Sequence, residues 1–511
     1  MNLNRPLRVA VKTTPTIFDV EQPGGFGDDL GSDLFGSFYD QLVGPKTFFD
    51  AKNYSRYDWH NLNNILSDKW WFSEDQLSCY FQIRKNVFSK DGNELTAESV
   101  LWGWERAFGL RDVGKWVARL GSVQEFENIE IVDKYLIKFN LTHPNPALPR
   151  LMCQNAPSVY DIEALKGKLN DDDPWGTSII GAESFGFGPY VLNGTSNDSV
   201  SIKAHENYWK HDVNIKNIEM TRVDDHNDAI DALIDGQYDL MPGVLDSDLK
   251  KIATNTNLTV NMNAMHAGMF LHLDPEFAPL DDIKVRQALS HAIPAEEIIS
   301  EIYHNQVERW HSFVKLESPG YDHSTWPYEY NIDKAIKLLS ESSAPDGFES
   351  DFYVFPGDGF VESAGIIVDS LSKIGIKLNI LASDDVTDRN RQMRENGHVA
   401  PIMMRGSTDG RGMRVAEPMY AFYHDFGPGR MRLFPFRYNN EEFFTELKKL
   451  PAVGHGENWD NHVKKLQIIH NNDAVMIPIC NQIYKIAHVN DLVGCRHLPD
   501  NRLPFGDMLW K

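Results

Sequence analysis

The stretch Leu77–Phe108, LSCYFQIRKNVFSKDGNELTAESVLWGWERAF, places a strand, a turn and a helix in direct succession. Leu77, Cys79, Phe81 and Ile83 alternate with Ser78, Tyr80, Gln82 and Arg84, the period of a half-buried strand. Lys90-Asp91-Gly92-Asn93 is a turn, because Gly and Asn tolerate positive φ. Thr96 is positioned to cap the next helix, with Glu98 near its positive end. Val100, Leu101, Trp104, Ala107 and Phe108 then share one helical stripe.

Working outward, the same alternation of strand and helix signals continues. Ile129, Ile131, a turn at Asp133-Lys134, then Tyr135, Ile137, Phe139 and Leu141 predict a β-hairpin. His143 to Pro149 reads as a proline-rich turn and Asp171-Asp172-Asp173-Pro174 as an exposed loop. Ile218 to Val223 is a strand, Ala229, Ile230 and Leu233 mark a helix stopped by Gly236, and Tyr238 to Met241 is the next strand. Asn331 caps a helix backed by Ile332, Ala335, Ile336 and Leu339. Ile367, Val368, Leu371 and Ile374 line another, ended by Gly375. The pattern is α/β with mixed sheets flanked by helices.

Several of these segments, in this order, carry a family resemblance. Gly186-Phe187-Gly188-Pro189-Tyr190 enters a strand, and Asn207-Tyr208-Trp209 follows. Val285-Arg286-Gln287-Ala288 opens a helix, Tyr330 to Leu339 and Leu371 to Leu378 come later, and Met476-Ile477-Pro478-Ile479 closes the series. Together with Leu77–Phe108 these segments resemble the extracytoplasmic solute-binding proteins, family 5, the oligopeptide, dipeptide and nickel class serving ABC importers. The resemblance implies a periplasmic binding protein-like fold of type II in its large three-lobed form. Lobe one would combine residues 1–44, 175–262 and 481–511. The smaller lobe two would be 45–174, and lobe three 263–480. Lobes one and three would close over a ligand, hinged by strands crossing near 262–270 and 476–482.

Composition sets limits. The chain has 511 residues, 42% hydrophobic, enough for several cores and roughly three domains at about 150 residues each. A net charge of −23 disfavours nucleic acid and anionic membrane as partners. No run of 18 apolar residues spans a bilayer. The opening MNLNRPLRVAVKTTPTIF reads as a strand start and not as a signal peptide. The periplasmic location that the resemblance implies therefore calls for an export signal that is not part of this sequence. A monomer is expected, with an inner-membrane permease as its partner. Cys79 falls on the core face of its strand as a buried thiol, and Cys480 and Cys495 could bridge two neighbouring strands; Cys153 completes the set.

Enzyme motifs are missing: the chain has no GxSxG elbow, HExxH helix, phosphate loop or complete GxGxxG. The expectation is a receptor without turnover or cofactor. A hydrolase on a borrowed binding fold is the alternative of another class, since a carboxylate pair can be assembled from distant segments. His266 and His272 lie among Met262, Met265 and Met269, which suggests a metal or haem site or, more plainly, polar packing beside a hinge. His455 and His462 fall in a polar segment and read as solvated. No close Cys/His set has zinc spacing, so no metal is expected.

The ligand-reading segment is Met403 to Pro418, MMRGSTDGRGMRVAEP. In peptide binders of this class an acidic residue shortly before a Glu-Pro or Asp-Pro pair anchors the peptide's amino terminus. Asp409 and Glu417-Pro418 match that outline. The chain departs from it in its extra residues and in Arg405, Arg411 and Arg414, which are suited to clamp a carboxylate, sulfate or phosphate. Tyr420 follows Pro418, and Trp70 and Trp71 offer ring faces for stacking on sugars or ligand side chains. The expected cargo is a peptide-like or other small polar solute, with an oligosaccharide or opine-like sugar conjugate as the alternative.

Overall fold

The computed structural model describes residues 5–15, 17–19, 21–22, 29–110, 117–118, 121–153, 157–316, 318–355, 357–382, 400–406, 438–450, 453, 456–496, 498 and 502–511. The described residues divide into two units, one formed by residues up to 264 and from 484 onward, the other by residues 265–483. The chain passes from one to the other inside two long strands, β12 (Leu258–Leu273) and β17 (Met476–Val489).

In the first unit β1 (Leu7–Val11) runs parallel to both β10 (Asn217–Arg222) and β11 (Leu240–Pro242). β10 is antiparallel to β9 (Ser199–Ala204), and β9 to β8 (Tyr190–Thr195). The end of β17 pairs antiparallel with β11, Leu240 opposite His488. β1 reads LRVAV, an almost unbroken apolar run, because both of its faces are covered. Leu7, Val9 and Val11 pack with Leu34, Phe35 and Phe38 of α1 (Asp29–Phe38) on one side. On the other, Ala10 packs with Ile230 and Leu233 of α3 (His226–Ile234). The helix stop after α3 is Gly236, at φ +76°, as its position predicts.

The opening stretch of the sequence builds a separate antiparallel sheet within this unit. Its order is β4 (Ser67–Phe72), β5 (Ser78–Ile83), β7 (Leu136–Asn140), β6 (Ile129–Asp133). Cys79, Phe81 and Ile83 are buried as the alternation requires, whereas Leu77 precedes the strand and is exposed. Trp104 of α2 (Ala97–Leu110) meets Phe139 edge-on at 5.3 Å, which seats the helix on the sheet. The turn before it has Gly92 at φ +80°. Beside this sheet, β2 (Val43–Phe49) and β3 (Ser55–Asn64) form a hairpin. The stretch read as a proline-rich turn gives way to a short helix at Leu148–Leu151, with Pro149 in its first turn where no N–H is needed.

In the second unit β14 (Glu349–Val354), α7 (Phe360–Ser372) and β15 (Lys377–Ala382) make a parallel strand-helix-strand unit. β16 (Ile402–Gly406) runs parallel to β14 and antiparallel to β12, and β13 (Glu308–Arg309) pairs with β17. Between these strands and the helices α4 (Ile283–Ala292), α5 (Ala295–Glu301) and α7 lies a core that includes Leu271, Leu289, Ile298, Phe352, Ile367, Leu371, Met404 and Ile479. Asn331 caps α6 (Ile332–Ser340), accepting from the Lys334 N–H at 2.9 Å. Ala335 and Leu339 of α6 are buried, but Ile336 is exposed because it falls just off their stripe.

All four cysteines are buried and none is in a disulfide, so the bridge considered for Cys480 and Cys495 is not formed. His462, read as solvated, is instead largely buried, its Nε2 2.8 Å from the Glu446 carbonyl where α9 (Glu457–Asp473) meets α8 (Glu441–Lys449). His455 lies outside the described residues.

Candidate functional site

Arg405 stands one residue from the end of β16, and strand alternation decides which way it faces. Ile402 and Met404 enter the main core of the second unit. Met403 and Arg405 therefore lie on the opposite face, where Met403 packs with Tyr353 and Phe355. The Arg405 guanidinium sits 4.9 Å from the Phe355 ring centre, and the residue is only 8% exposed. Its cross-strand partner is Phe270, and the next pair is Met403 with His272. His272 is 1% exposed. Burial holds its pKa well below the ordinary imidazole value, and His470 and Arg405 push the same way. His470 is lowered to about 3 by burial, its ring 4.3 Å from that of Phe313. Burial accordingly favours the neutral form of both histidines, and Arg405 brings a permanent cation to this face.

Trp70 and Trp71 lie on β4, both half-buried. Trp71 stacks on Tyr80 at 5.3 Å with Lys69 5.0 Å from its ring, and Trp70 meets Phe72 edge-on at 6.2 Å. Thus Arg405 and His272 belong to one sheet face of the second unit, and the two tryptophans to the small sheet of the first. Asp409, Arg411, Arg414 and Tyr420, with Glu417-Pro418, lie outside the described residues, as does the side chain of His266.

A pocket of about 490 Å³ in the first unit has no counterpart in the sequence reading. One wall is the turn joining β2 to β3, with Phe49, Lys52, Asn53 and Tyr54. Asp50 shapes that turn: one carboxylate oxygen accepts from the N–H groups of Lys52 at 2.8 Å and Tyr54 at 2.9 Å, the other from Arg56 Nε at 2.8 Å. Asn53 takes φ +63°, which Asn tolerates. The second wall is Val260 to Asn263 of β12, and the third is Gly494, Cys495 and Arg496. Nothing local announces this site, because its three walls come from segments some two hundred residues apart. A solitary cation beside Cys495 and a lysine in an aromatic-flanked turn were the available signals.

Elsewhere the family-like segments serve packing. Tyr208 and Trp209 both donate to Asp40, at 2.8 and 2.9 Å. Arg286 reaches the carbonyls of Asp473 and Leu280 at 2.8 and 2.7 Å.

Comparison with known proteins settles the class. Residues 61–429 match the model of the bacterial extracellular solute-binding proteins, family 5. The chain belongs to that family, whose members are extracytoplasmic receptors that bind small solutes for ABC permeases. The chain is 25% identical over 445 residues to heme-binding protein A of Haemophilus influenzae, covering 83% of this chain and 79% of that one. It is 23% identical over 506 residues to the glutathione-binding protein GsiB of Salmonella paratyphi A, covering 98% and 93%. The periplasmic binding protein DppA of Helicobacter pylori, solved in complex with the peptide STSA, superposes with a TM-score of 0.81 at 20% identity, covering 99% and 98%. The fold is thus that of the family 5 periplasmic binding proteins, mixed α/β with a large mixed sheet. The protein is a substrate-binding receptor of an ABC importer. Among the described residues no helix is long and apolar enough to cross a membrane.

Proposed function

We propose that this receptor captures a peptide-like solute in a cleft between two of its lobes and hands it, chemically unchanged, to an inner-membrane permease. The observation that carries this reading is the family match across residues 61–429, joined to near full-length similarity with a glutathione-binding relative. The lobes are residues 1–44, 175–262 and 481–511, residues 45–174, and residues 263–480. The receptor acts as a periplasmic monomer and performs no turnover of its own. Closure over the solute requires only that the solute bind the closed form better than the open one.

Asp409 is the proposed anchor for the ligand's ammonium group, with Arg405, Arg411 and Arg414 clamping its carboxylate. Tyr420, Trp70, Trp71 and His272 would supply further contacts. Breaking a buried ammonium–carboxylate pair costs on the order of 3–5 kcal/mol. Asp409→Asn therefore weakens binding by about two to three orders of magnitude, at about 1.4 kcal/mol for each tenfold. The test is titration calorimetry of parent and variant with short peptides, free and N-acetylated. Tight binding of the free peptide alone, lost in Asp409→Asn, is expected. Equal affinity for both peptides removes the amine anchor. Glutathione and haem belong in the same screen because relatives are named for them. Binding of haem alone overturns the peptide reading.

A further inference from the structure

We infer that the pocket between the β2–β3 turn, the start of β12 and the Gly494–Arg496 segment is a binding site for a small organic oxyanion, a carboxylate or phosphate carried on an apolar body. Every residue lining it belongs to the first unit. The site goes beyond the cargo reading above and stands or falls independently of it. Its volume of about 490 Å³ lies within the range of small-molecule sites.

Two of the polar side chains on its walls carry donors without an acceptor among the described residues. Asn263 is 2% exposed, and its Nδ2 has no hydrogen-bond acceptor among the described residues. Arg496 Nε is likewise buried without an acceptor, and no carboxylate among the described residues pairs with that guanidinium. Its contact is with the Phe49 ring, 5.3 Å away. Lys52 also lines the pocket, and none of the described lining residues is an Asp or Glu. The nearby Asp50 is spent on the turn and on Arg56. Buried donors left unmade are costly, and two of them belong to residues lining this one cavity, where a partner accepting from both would fit. A partner able to accept from an amide and a guanidinium together, beside an ammonium, is an oxyanion. Phe49, Tyr54, Val260 and Met262 provide apolar surface for the rest of such a molecule.

The experiment titrates the intact protein with benzoate, phenyl phosphate, inorganic phosphate and benzylamine, by calorimetry and thermal shift. Benzoate or phenyl phosphate is expected to bind one to one and benzylamine not at all. The carboxylate and phosphate arms identify which oxyanion the site prefers. Inorganic phosphate alone binding as well as phenyl phosphate removes the apolar body from the inference. Arg496→Gln and Asn263→Leu are each expected to weaken the preferred probe at least about tenfold, while Arg496→Lys retains most of the affinity. Ligand-free melting curves verify that each variant is folded. If one variant does not fold, the other and the probe series on the parent still decide. Failure of both aromatic oxyanions to bind the parent, equal binding of benzylamine, or unchanged affinity in the folded variants overturns the site. None of these outcomes bears on peptide binding, which is measured separately with Asp409→Asn.

Discussion

Arg106 of α2 is fully buried and faces two carboxylates at once. Its Nη2 and Nη1 donate to Asp19, its Nη1 also to Glu21, and its Nε reaches the Trp175 carbonyl at 2.8 Å. The Tyr160 hydroxyl donates to the same Glu21 oxygen at 3.1 Å, and the other Glu21 oxygen has no partner among the described residues. One cation cannot neutralise two buried anions, so burial raises Glu21 to about 7, against the pull of Arg106. The consequence for stability has a definite sign. Below about 4.5 the carboxyl is protonated whether the chain is folded or not. Between there and about 7 the unfolded chain releases the proton and the folded one keeps it, so stability falls as pH rises; above about 7 the penalty is complete. Glu21→Gln, which mimics the protonated acid, should match the parent near pH 4 and melt higher than it at pH 8. Parallel melting profiles for the two proteins would contradict this. The sequence did not announce this cluster: Arg106 falls off the apolar stripe of Val100, Trp104 and Ala107, and its partners Asp19 and Glu21 come from a segment some 85 residues earlier.

Elements show where close approach dictates residue type. Gly186-Phe187-Gly188 enters β8 directly against the end of α1. The Gly188 N–H donates to the Phe38 carbonyl at 2.9 Å. A Cβ on Gly188 would lie 2.5 Å from the Ser37 oxygen, and one on Gly186 2.1 Å from the Phe38 oxygen. Both obstacles are backbone and cannot step aside. Gly188→Ala should therefore cost at least about 1–3 kcal/mol, an overpacking penalty. Gly365 in the middle of α7 is the opposite case, with nothing within 4 Å of a Cβ there. Gly365→Ala should stabilise by about 0.5–1 kcal/mol, since alanine loses less freedom on entering a helix. Denaturant unfolding of both variants checks the pair; equal effects would refute the distinction. The sequence signalled the turn at Gly186–Gly188 but not its reason, because the obstructing carbonyls come from a helix some 150 residues earlier. Strands with clean alternation were legible for the converse reason: β5 needs only its own period to say that Cys79, Phe81 and Ile83 go inside.

At the scale of the molecule, the order of family segments was legible from the sequence, because several of them carry their own turn, cap or close-packing glycine. Binding chemistry was not, because it is assembled from remote segments. The pocket walls at residues 49–54, 260–263 and 494–496 share no local pattern, and Arg405 could be named from its motif but not its partner Phe355. The proposed receptor role requires that the solute be held firmly and released intact. A solute present at about 100 times its dissociation constant adds about 2.7 kcal/mol to the stability of the folded chain, so the bound form is easily detected. The most direct measurement is native mass spectrometry of the protein incubated for hours with a binding peptide, followed by analysis of the released small molecule. One solute bound per chain, recovered with its mass unchanged, is the predicted result. Steady accumulation of a cleaved product, in proportion to enzyme and time, would contradict the account and make the protein a hydrolase.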